Sequence, residues 1–285
     1  VSGYQAGSGG FVTLPGGDFS PDPKSNVSLP AGGDAYYGGG FYGGGFSSSS
    51  YDYAKGRWLP VPRDYVSPDG STYAYQSNES DGGIYVVDVA NGRSREIAKG
   101  SRWRVVEWRA PGIYAMKQDA ATYIYHGLYI IDSNTGVPRG LTAQGTWQAI
   151  GKYAAWGTEF PTPANNDTQH TIIRFDLTTG RVAAYFNQPG SYLSVVAFDE
   201  QNRPIIDASN DVAQQVWALN GANNADRIYS GPGNRSKDYI AFSPPGVADS
   251  HGIWFGTGQG LMLYSTADGF KKMSGATGQV GGGCH

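Results

Sequence analysis

One pattern recurs six times along the 285 residues of this chain: an apolar run, a polar turn usually ending in Gly or Asn, then a second short β-prone run. The copies are Tyr51–Val61, Ile84–Ile97, Leu128–Leu141, Ile172–Phe186, Val216–Tyr229 and Leu261–Met273. Each reads as a β-hairpin, in which Asp or Asn opens the turn by bonding its own backbone and Gly closes it at positive φ. The turn positions 56, 92, 136, 180, 224 and 269 lie 36, 44, 44, 44 and 45 residues apart. A period of roughly 40–50 residues is that of a four-stranded propeller blade, and a regular spacing this long excludes a simple sandwich.

A second strand pair ahead of each hairpin completes the unit. These pairs are Tyr65-Val66 with Thr72–Tyr75, Trp103–Trp108 with Gly112–Met116, Trp147–Ile150 with Tyr153–Trp156, Leu193–Phe198 with Pro204–Ile206, and Tyr239–Phe242 with Gly252–Phe255. The reading is an all-β chain forming one domain, a six-bladed β-propeller of four-stranded antiparallel blades. Blades are expected over residues 10–61, 62–98, 99–142, 143–187, 188–230 and 231–275, with 276–285 as a tail or closing strand. The first blade departs from the rest, because Gly10–Leu14 and Ala35–Tyr42 are separated by a Gly/Pro/Asp-rich connection, residues 15–34, that reads as the largest surface loop. Closing a ring removes exposed sheet edges, so either the N-terminal segment or the tail Gln279-Val280 is expected to add a strand to the blade of the other terminus. The alternative is that residues 1–50, with Gly38–Gly45 followed by serines, form a low-complexity arm.

Composition agrees with many short strands and tight turns. Gly 43, Tyr 20 and Trp 7 accompany only 16% charged residues, and aromatics favour pleated, half-buried surfaces while Gly supplies turn geometry. A net charge of −3 offers no basic field for a phosphate backbone, which argues against nucleic acid as partner. No window approaches the ~18 apolar residues of a membrane span. Val1 in place of Met fits a chain relieved of an export signal, so a secreted or extracytoplasmic location is expected. Cys284 has no second cysteine to pair with, and sequons at Asn26, Asn78, Asn166 and Asn234 are glycan acceptors if a eukaryote secretes the protein.

Two stretches carry a family resemblance. Ser67-Pro-Asp-Gly-Ser-Thr-Tyr-Ala-Tyr75 followed by Ile84-Tyr-Val-Val-Asp88 resembles the repeat of TolB-type and WD40-like propellers. Gly252-Ile-Trp-Phe-Gly-Thr-Gly-Gln-Gly-Leu-Met-Leu-Tyr264 is similar to the repeat of two-component-regulator and ligand-sensor propellers, and Ser265–Phe270 resembles the Asp-box turn of sialidase-like propellers. The resemblance implies the propeller fold; motifs of this kind punctuate structure and transfer no active site.

Propellers bind ligands at the mouth of the central channel, on loops joining each outer strand to the next blade and the two middle strands to each other. Blade-to-blade connections place Arg63, Asp64, Arg102, Trp103, Trp147, Tyr192, Lys237, Asp238 and Tyr239 there. Rings mixed with both charges suit a polar or sugar-like ligand, and equally suit packing between blades. His126, His170, His251 and His285 show no zinc spacing. No cofactor is called for; calcium is the one the acids Asp18, Asp22 and Asp34 of the first-blade loop leave open. Asp249-Ser250-His251 reads as a turn, with Asp249 or Ser250 bonding backbone and His251 bridging adjacent blades, rather than as a catalytic triad. Glu107, flanked by aromatics on a leading strand, is a candidate buried acid. Three functions remain open: a noncatalytic binding domain for a glycan, peptide or protein partner; a propeller hydrolase or lyase, with or without calcium; and a purely structural role in a surface layer or envelope complex, expected if the outer blade edges carry exposed apolar patches. An enzyme needs at least two acids, or an acid with a His, converging in a pocket with shifted pKa values.

Overall fold

The computed structural model describes residues 2–5, 8–30, 33–34, 49–77, 82–100, 102–159 and 168–281. Among the described residues the chain is all-β apart from three single-turn 3-10 segments at Pro23–Ser25, Arg63–Tyr65 and Thr168–His170. Its strands are β1 (Ser2–Gln5), β2 (Ser8–Thr13), β3 (Asp18–Pro21), β4 (Gly33–Asp34), β5 (Ser50–Asp52), β6 (Arg57–Leu59), β7 (Thr72–Ser77), β8 (Ile84–Asp88) and β9 (Ser94–Ala98). They continue as β10 (Trp103–Arg109), β11 (Gly112–Gln118), β12 (Tyr125–Ile131), β13 (Pro138–Thr142), β14 (Thr146–Ile150), β15 (Ala154–Thr158), β16 (Thr171–Asp176) and β17 (Val182–Asn187). The last are β18 (Tyr192–Phe198), β19 (Pro204–Ser209), β20 (Ala213–Gly221), β21 (Asn224–Pro232), β22 (Phe242–Asp249), β23 (Gly252–Thr257), β24 (Gly260–Ser265), β25 (Gly269–Ser274) and β26 (Gln279–Val280).

These strands make six four-stranded antiparallel sheets and one two-stranded hairpin. The first sheet has the order β26-β1-β2-β3 and the second β4-β7-β8-β9; β10–β13, β14–β17, β18–β21 and β22–β25 form the third to sixth. Gln279 pairs with Tyr4 and Val280 with Gly3, so the last strand borders the first.

Side chains of successive residues leave a strand on opposite faces, and here both faces are buried against neighbouring sheets. In β11, Ile113 and Ala115 join a core shared with the second sheet, while Tyr114 and Met116 join one shared with the fourth. In β19, Ile206 and Ala208 face the fourth sheet and Ile205 the sixth. Trp254 and Leu261 of the sixth sheet pack with Val12 and Val280. This two-sided burial is why the runs read as continuously apolar.

The hairpin turns follow the expected chemistry. Asp132 Oδ1 accepts from the N–H groups of Asn134 and Thr135 at 2.9 and 2.8 Å, and Asp176 Oδ1 from those of Thr178 and Thr179 at 3.0 and 2.8 Å. Gly92, Gly136, Gly180 and Gly269 then take φ between 69° and 73°. In the fifth hairpin the residue at positive φ is Asn223, at 54°, one position before the expected Asn224.

The first two sheets differ from expectation. The Tyr51–Val61 hairpin is not part of the first sheet: its strands β5 and β6 form the separate two-stranded unit. The outer turn of the first sheet is instead the β2–β3 turn, with Gly17 at φ 77°. Residues 15–34 are therefore not one long loop, since β3, a 3-10 turn and β4 lie within them. Tyr65 closes a 3-10 turn and Val66 meets Tyr73 through a single bridge, while β4 pairs with Gln76 and Ser77 on that edge of β7. The hairpin touches both neighbours. Phe11 packs edge-on to Tyr51 at 4.9 Å and Trp58 Nε1 donates to Asp22 at 2.9 Å, while Lys55 and Arg57 donate to the carbonyls of Gly70 and Val89 in the second sheet. The expected strand Ala35–Tyr42, the Gly38–Gly45 stretch, the sequons at Asn78 and Asn166, Cys284 and His285 lie outside the described residues, wholly or in part.

Candidate functional site

Consecutive sheets are tied by buried or half-buried side chains that reach across to a neighbour's backbone. Gln76 Oε1 accepts from Val105 N at 3.2 Å, Gln148 Oε1 from Val195 N at 2.7 Å, and Gln214 Oε1 from Ile240 N at 3.1 Å. At the junction of the third and fourth sheets the same task falls to Glu107, whose Oε2 accepts from Ile150 N at 3.2 Å. Its Oε1 accepts from Arg109 Nε. Leading strands β10, β14, β18 and β22 each carry a register shift, and such bulges re-aim side chains; Gln148 sits at one and Glu107 beside another. Burial, and then the charge of Asp64, push the Glu107 carboxyl up to about 8 against the opposing pull of Arg109.

A second buried acid lies at one end of the fifth sheet. Pairing sets Tyr192, Ser209, Gln214 and Gly231 in one row across β18–β21, at the end that carries the β19–β20 loop and the connection to the sixth sheet. Just inside this row, Asp207 Oδ1 accepts from Gln214 Nε2 at 2.9 Å and Oδ2 from Ser209 Oγ at 3.3 Å. Ser209 Oγ lies 3.4 Å from the Tyr239 hydroxyl. Burial pushes the Asp207 carboxyl up to about 7, the Gln214 and Ser209 hydrogen bonds opposing it. Gln259 Nε2 donates to Tyr239 O at 2.9 Å and holds the connecting segment in place.

The row reaches solvent at Tyr192, while Ser209 and Gln214 are buried. Tyr192 is 52% exposed, with the His170 ring centroid 5.9 Å away, and Val212 on the β19–β20 loop is 83% exposed. Lys237 and Asp238 are exposed, and Arg235 pairs with Asp211 beside them. On the corresponding loop of the third sheet Tyr123 is 68% exposed.

The nine residues expected at the ligand face therefore divide. Tyr192, Lys237, Asp238 and half-buried Tyr239 meet at the end of the fifth sheet. Trp103 and Trp147 are corrections: both are buried, packed against Tyr129 at 5.2 Å and Phe175 at 5.9 Å, so neither ring is free to stack on a ligand. Arg102 is half-buried and donates to Gln118 Oε1 at 3.3 Å. Exposed Arg63 and half-buried Asp64 form a 3-10 turn against β10, near Glu107. Asp207 and His170 were not foreseen; the one local hint was an acid inside the apolar run Pro204–Ala208.

The other candidates resolve simply. Asp249 Oδ1 accepts from His251 N at 2.8 Å and Oδ2 from Trp254 Nε1 at 2.8 Å, a turn cap as expected. The His251 ring does not bridge to another sheet but lies 6.4 Å from Trp254 of its own hairpin. Asp22 is engaged by Trp58 and by Lys24 N, and among the described residues no three of His, Cys, Asp and Glu gather as metal ligands. No described helix is long and apolar enough to cross a membrane.

No family model matches the chain, and no curated protein matches it by sequence. Solved structures do resemble it. TolB from Acinetobacter baumannii is 15% identical with a TM-score of 0.48, covering 79% of this chain and 58% of its own. Virginiamycin B lyase from Staphylococcus aureus is 16% identical with a TM-score of 0.48, covering 72% and 67%, and Pyrococcus horikoshii acylaminoacyl peptidase 11% with 0.49, covering 78% and 40%. The chain thus spans less than two thirds of the TolB and peptidase chains. At such identities and TM-scores no residue role transfers.

Proposed function

We propose that the six sheets form a closed six-bladed β-propeller, joined where β26 meets β1, and that it serves as a noncatalytic extracytoplasmic binding domain. Its partner, a glycan, peptide or protein, docks on the sheet ends that carry Tyr192, His170, Val212 and the Lys237–Tyr239 segment. The observation behind this reading is the contrast between two sets of groups. The two acids with raised pKa values, Glu107 and Asp207, each have both oxygens engaged by the protein's own donors, whereas Tyr192, Val212, Lys237 and Asp238 at the fifth-sheet end are exposed. An exposed ring with polar neighbours is the usual makeup of a recognition surface.

The second reading, a hydrolase or lyase acting at the channel, with calcium as an open cofactor, is favoured by one observation: Asp64 lies near enough to Glu107 to raise its pKa. Labelled protein on glycan and peptide arrays separates the two. The binding reading expects a captured ligand whose affinity falls at least ~10-fold in Tyr192→Ala, by loss of ring contact, and is unchanged in Glu107→Gln. Empty arrays, together with turnover of a small substrate that Glu107→Gln abolishes, would overturn it.

A further inference from the structure

Three glutamines clamp neighbouring sheets together, and one of them differs from the other two. Gln76 and Gln148 reach across with no carboxylate bonded to them among the described residues, but Gln214 is itself gripped by Asp207. The whole Gln214 amide is engaged: Oε1 accepts from Ile240 N at 3.1 Å, and Nε2 donates to Ile240 O at 2.8 Å and to Asp207 Oδ1 at 2.9 Å. Asp207 thus anchors from behind the side chain that binds Ile240 on both sides of its peptide. Ile240 directly follows Lys237–Tyr239, so this acid helps set how firmly the exposed segment is tied to the fifth sheet.

The surroundings of Asp207 suit a neutral acid better than an anion. The residue is 5% exposed, and no cation pairs with it among the described residues. Tyr192 of β18, Tyr229 of β21 and Tyr239 of the connection are the titratable groups on its side of the junction, and all three are neutral near pH 7. Asp238 carries the same sign and Lys237 is exposed, while β22, β23 and β24 bring only Phe242, Ile253, Phe255 and Met262 to this junction. As an acid, Asp207 can donate from Oδ2 to Ser209 Oγ, 3.3 Å away, and Ser209 in turn to the Tyr239 hydroxyl at 3.4 Å. As an anion it is left with two neutral donors and no counter-charge, a cost that water entering the junction would relieve. Burial accordingly pushes the carboxyl up to about 7.

We propose that Asp207 is a pH-sensitive latch: protonated, it keeps Gln214 closed on Ile240, and ionised, it lets the segment from Lys237 to Ile240 come away from the fifth sheet. The latch does not depend on what docks there; its consequence, that a partner meets a firmer segment in acid than at neutral pH, rests on the binding function proposed above. Amide exchange of the unliganded chain reads the latch alone, because the Ile240 N–H is the proton Gln214 holds, while those of Val105 and Val195 follow the two clamps without an acid. After correction for intrinsic rates, opening at Ile240 is expected to rise about tenfold per pH unit between about 5 and about 7, as one proton leaves with each opening, and to level off above. Near pH 7 Ile240 is expected to be at least ~10-fold less protected than Val105 and Val195, as a local opening requires. Asp207→Asn, which keeps an acceptor for Gln214, is expected to abolish the rise. Opening that does not change with pH, protection at Ile240 equal to that at Val195, or the same rise in Asp207→Asn would each overturn the proposal. The first two comparisons use the parent chain and need no variant to fold, and none of the three needs a ligand, so a failure of the binding function leaves them standing.

Discussion

Asp207 shows how much of a residue's behaviour comes from its neighbours. Exposed, its carboxyl would lose a proton near 3.8; between the fifth and sixth sheets it holds one up to about 7. The folded chain therefore binds a proton that the unfolded chain has released. The resulting stability is complete below about 3.8, declines as pH rises towards 7, and is gone above it, a span worth on the order of a few kcal/mol. Asp207→Asn removes the titration and keeps an acceptor for Gln214. In urea unfolding the variant is expected to match the parent near pH 4 and exceed it at pH 8; parallel pH profiles would show that Asp207 does not titrate in this window. Glu107 titrates in the same direction, so the difference between the two profiles isolates Asp207. Nothing in the order of residues 204–209 reveals which face of β19 meets another sheet, which is why this acid escaped notice. The same blindness placed Trp103 and Trp147 at a ligand face: a loop-flanking aromatic in sequence is a core aromatic once a neighbouring sheet covers it.

Hairpins are where local rules hold best, and where one of them misled. Asp-capped turns with a left-handed Gly recur because both devices act within a few residues. Equal turns still differ in cost. A Cβ at Gly180 meets nothing within 4 Å, so Gly180→Ala carries only the strain of its φ of 72°, about 1 kcal/mol. At Gly136 the same Cβ would stand 1.6 Å from Ile97 O of the second sheet, and Gly136→Ala is expected to cost about 3 kcal/mol or more. Thermal melts of the two variants test this, and similar losses would deny the close approach of the β12–β13 turn to β9. The β5–β6 hairpin has turn residues like the others but belongs to no four-stranded sheet. Its spacing of 36 rather than 44 to the next turn was the sign of an irregular member.

For the whole molecule, the test is whether the ends matter. Val280 is buried among Val12, Trp254 and Leu261, on a strand paired with residues at the opposite terminus. Val280→Asp buries a charge with no partner and is expected to cost at least ~3 kcal/mol and to broaden unfolding, while Val137→Asp, at a position 63% exposed, should stay within about 0.5 kcal/mol. Differential scanning calorimetry separates these outcomes, and an unchanged transition in Val280→Asp would show that the terminal strand carries no load. The repeat period, most turn positions, the two-sided apolar strands and the pairing of one terminus with the blade of the other, with Gln279-Val280 as one of two options, could be read from the amino-acid order. Hairpins and their spacing depend on residues close together in the chain, and a sheet edge left open is costly in any arrangement. The insertion of β5–β6 between the first two sheets, the clamps from Gln76, Glu107, Gln148 and Gln214, and the meeting of Tyr192, Asp207 and Tyr239 could not. These depend on which faces of separate sheets come into contact, and that is set by packing between residues far apart in the chain, 26 to 47 positions for the four clamps, where sequence spacing carries no directional information.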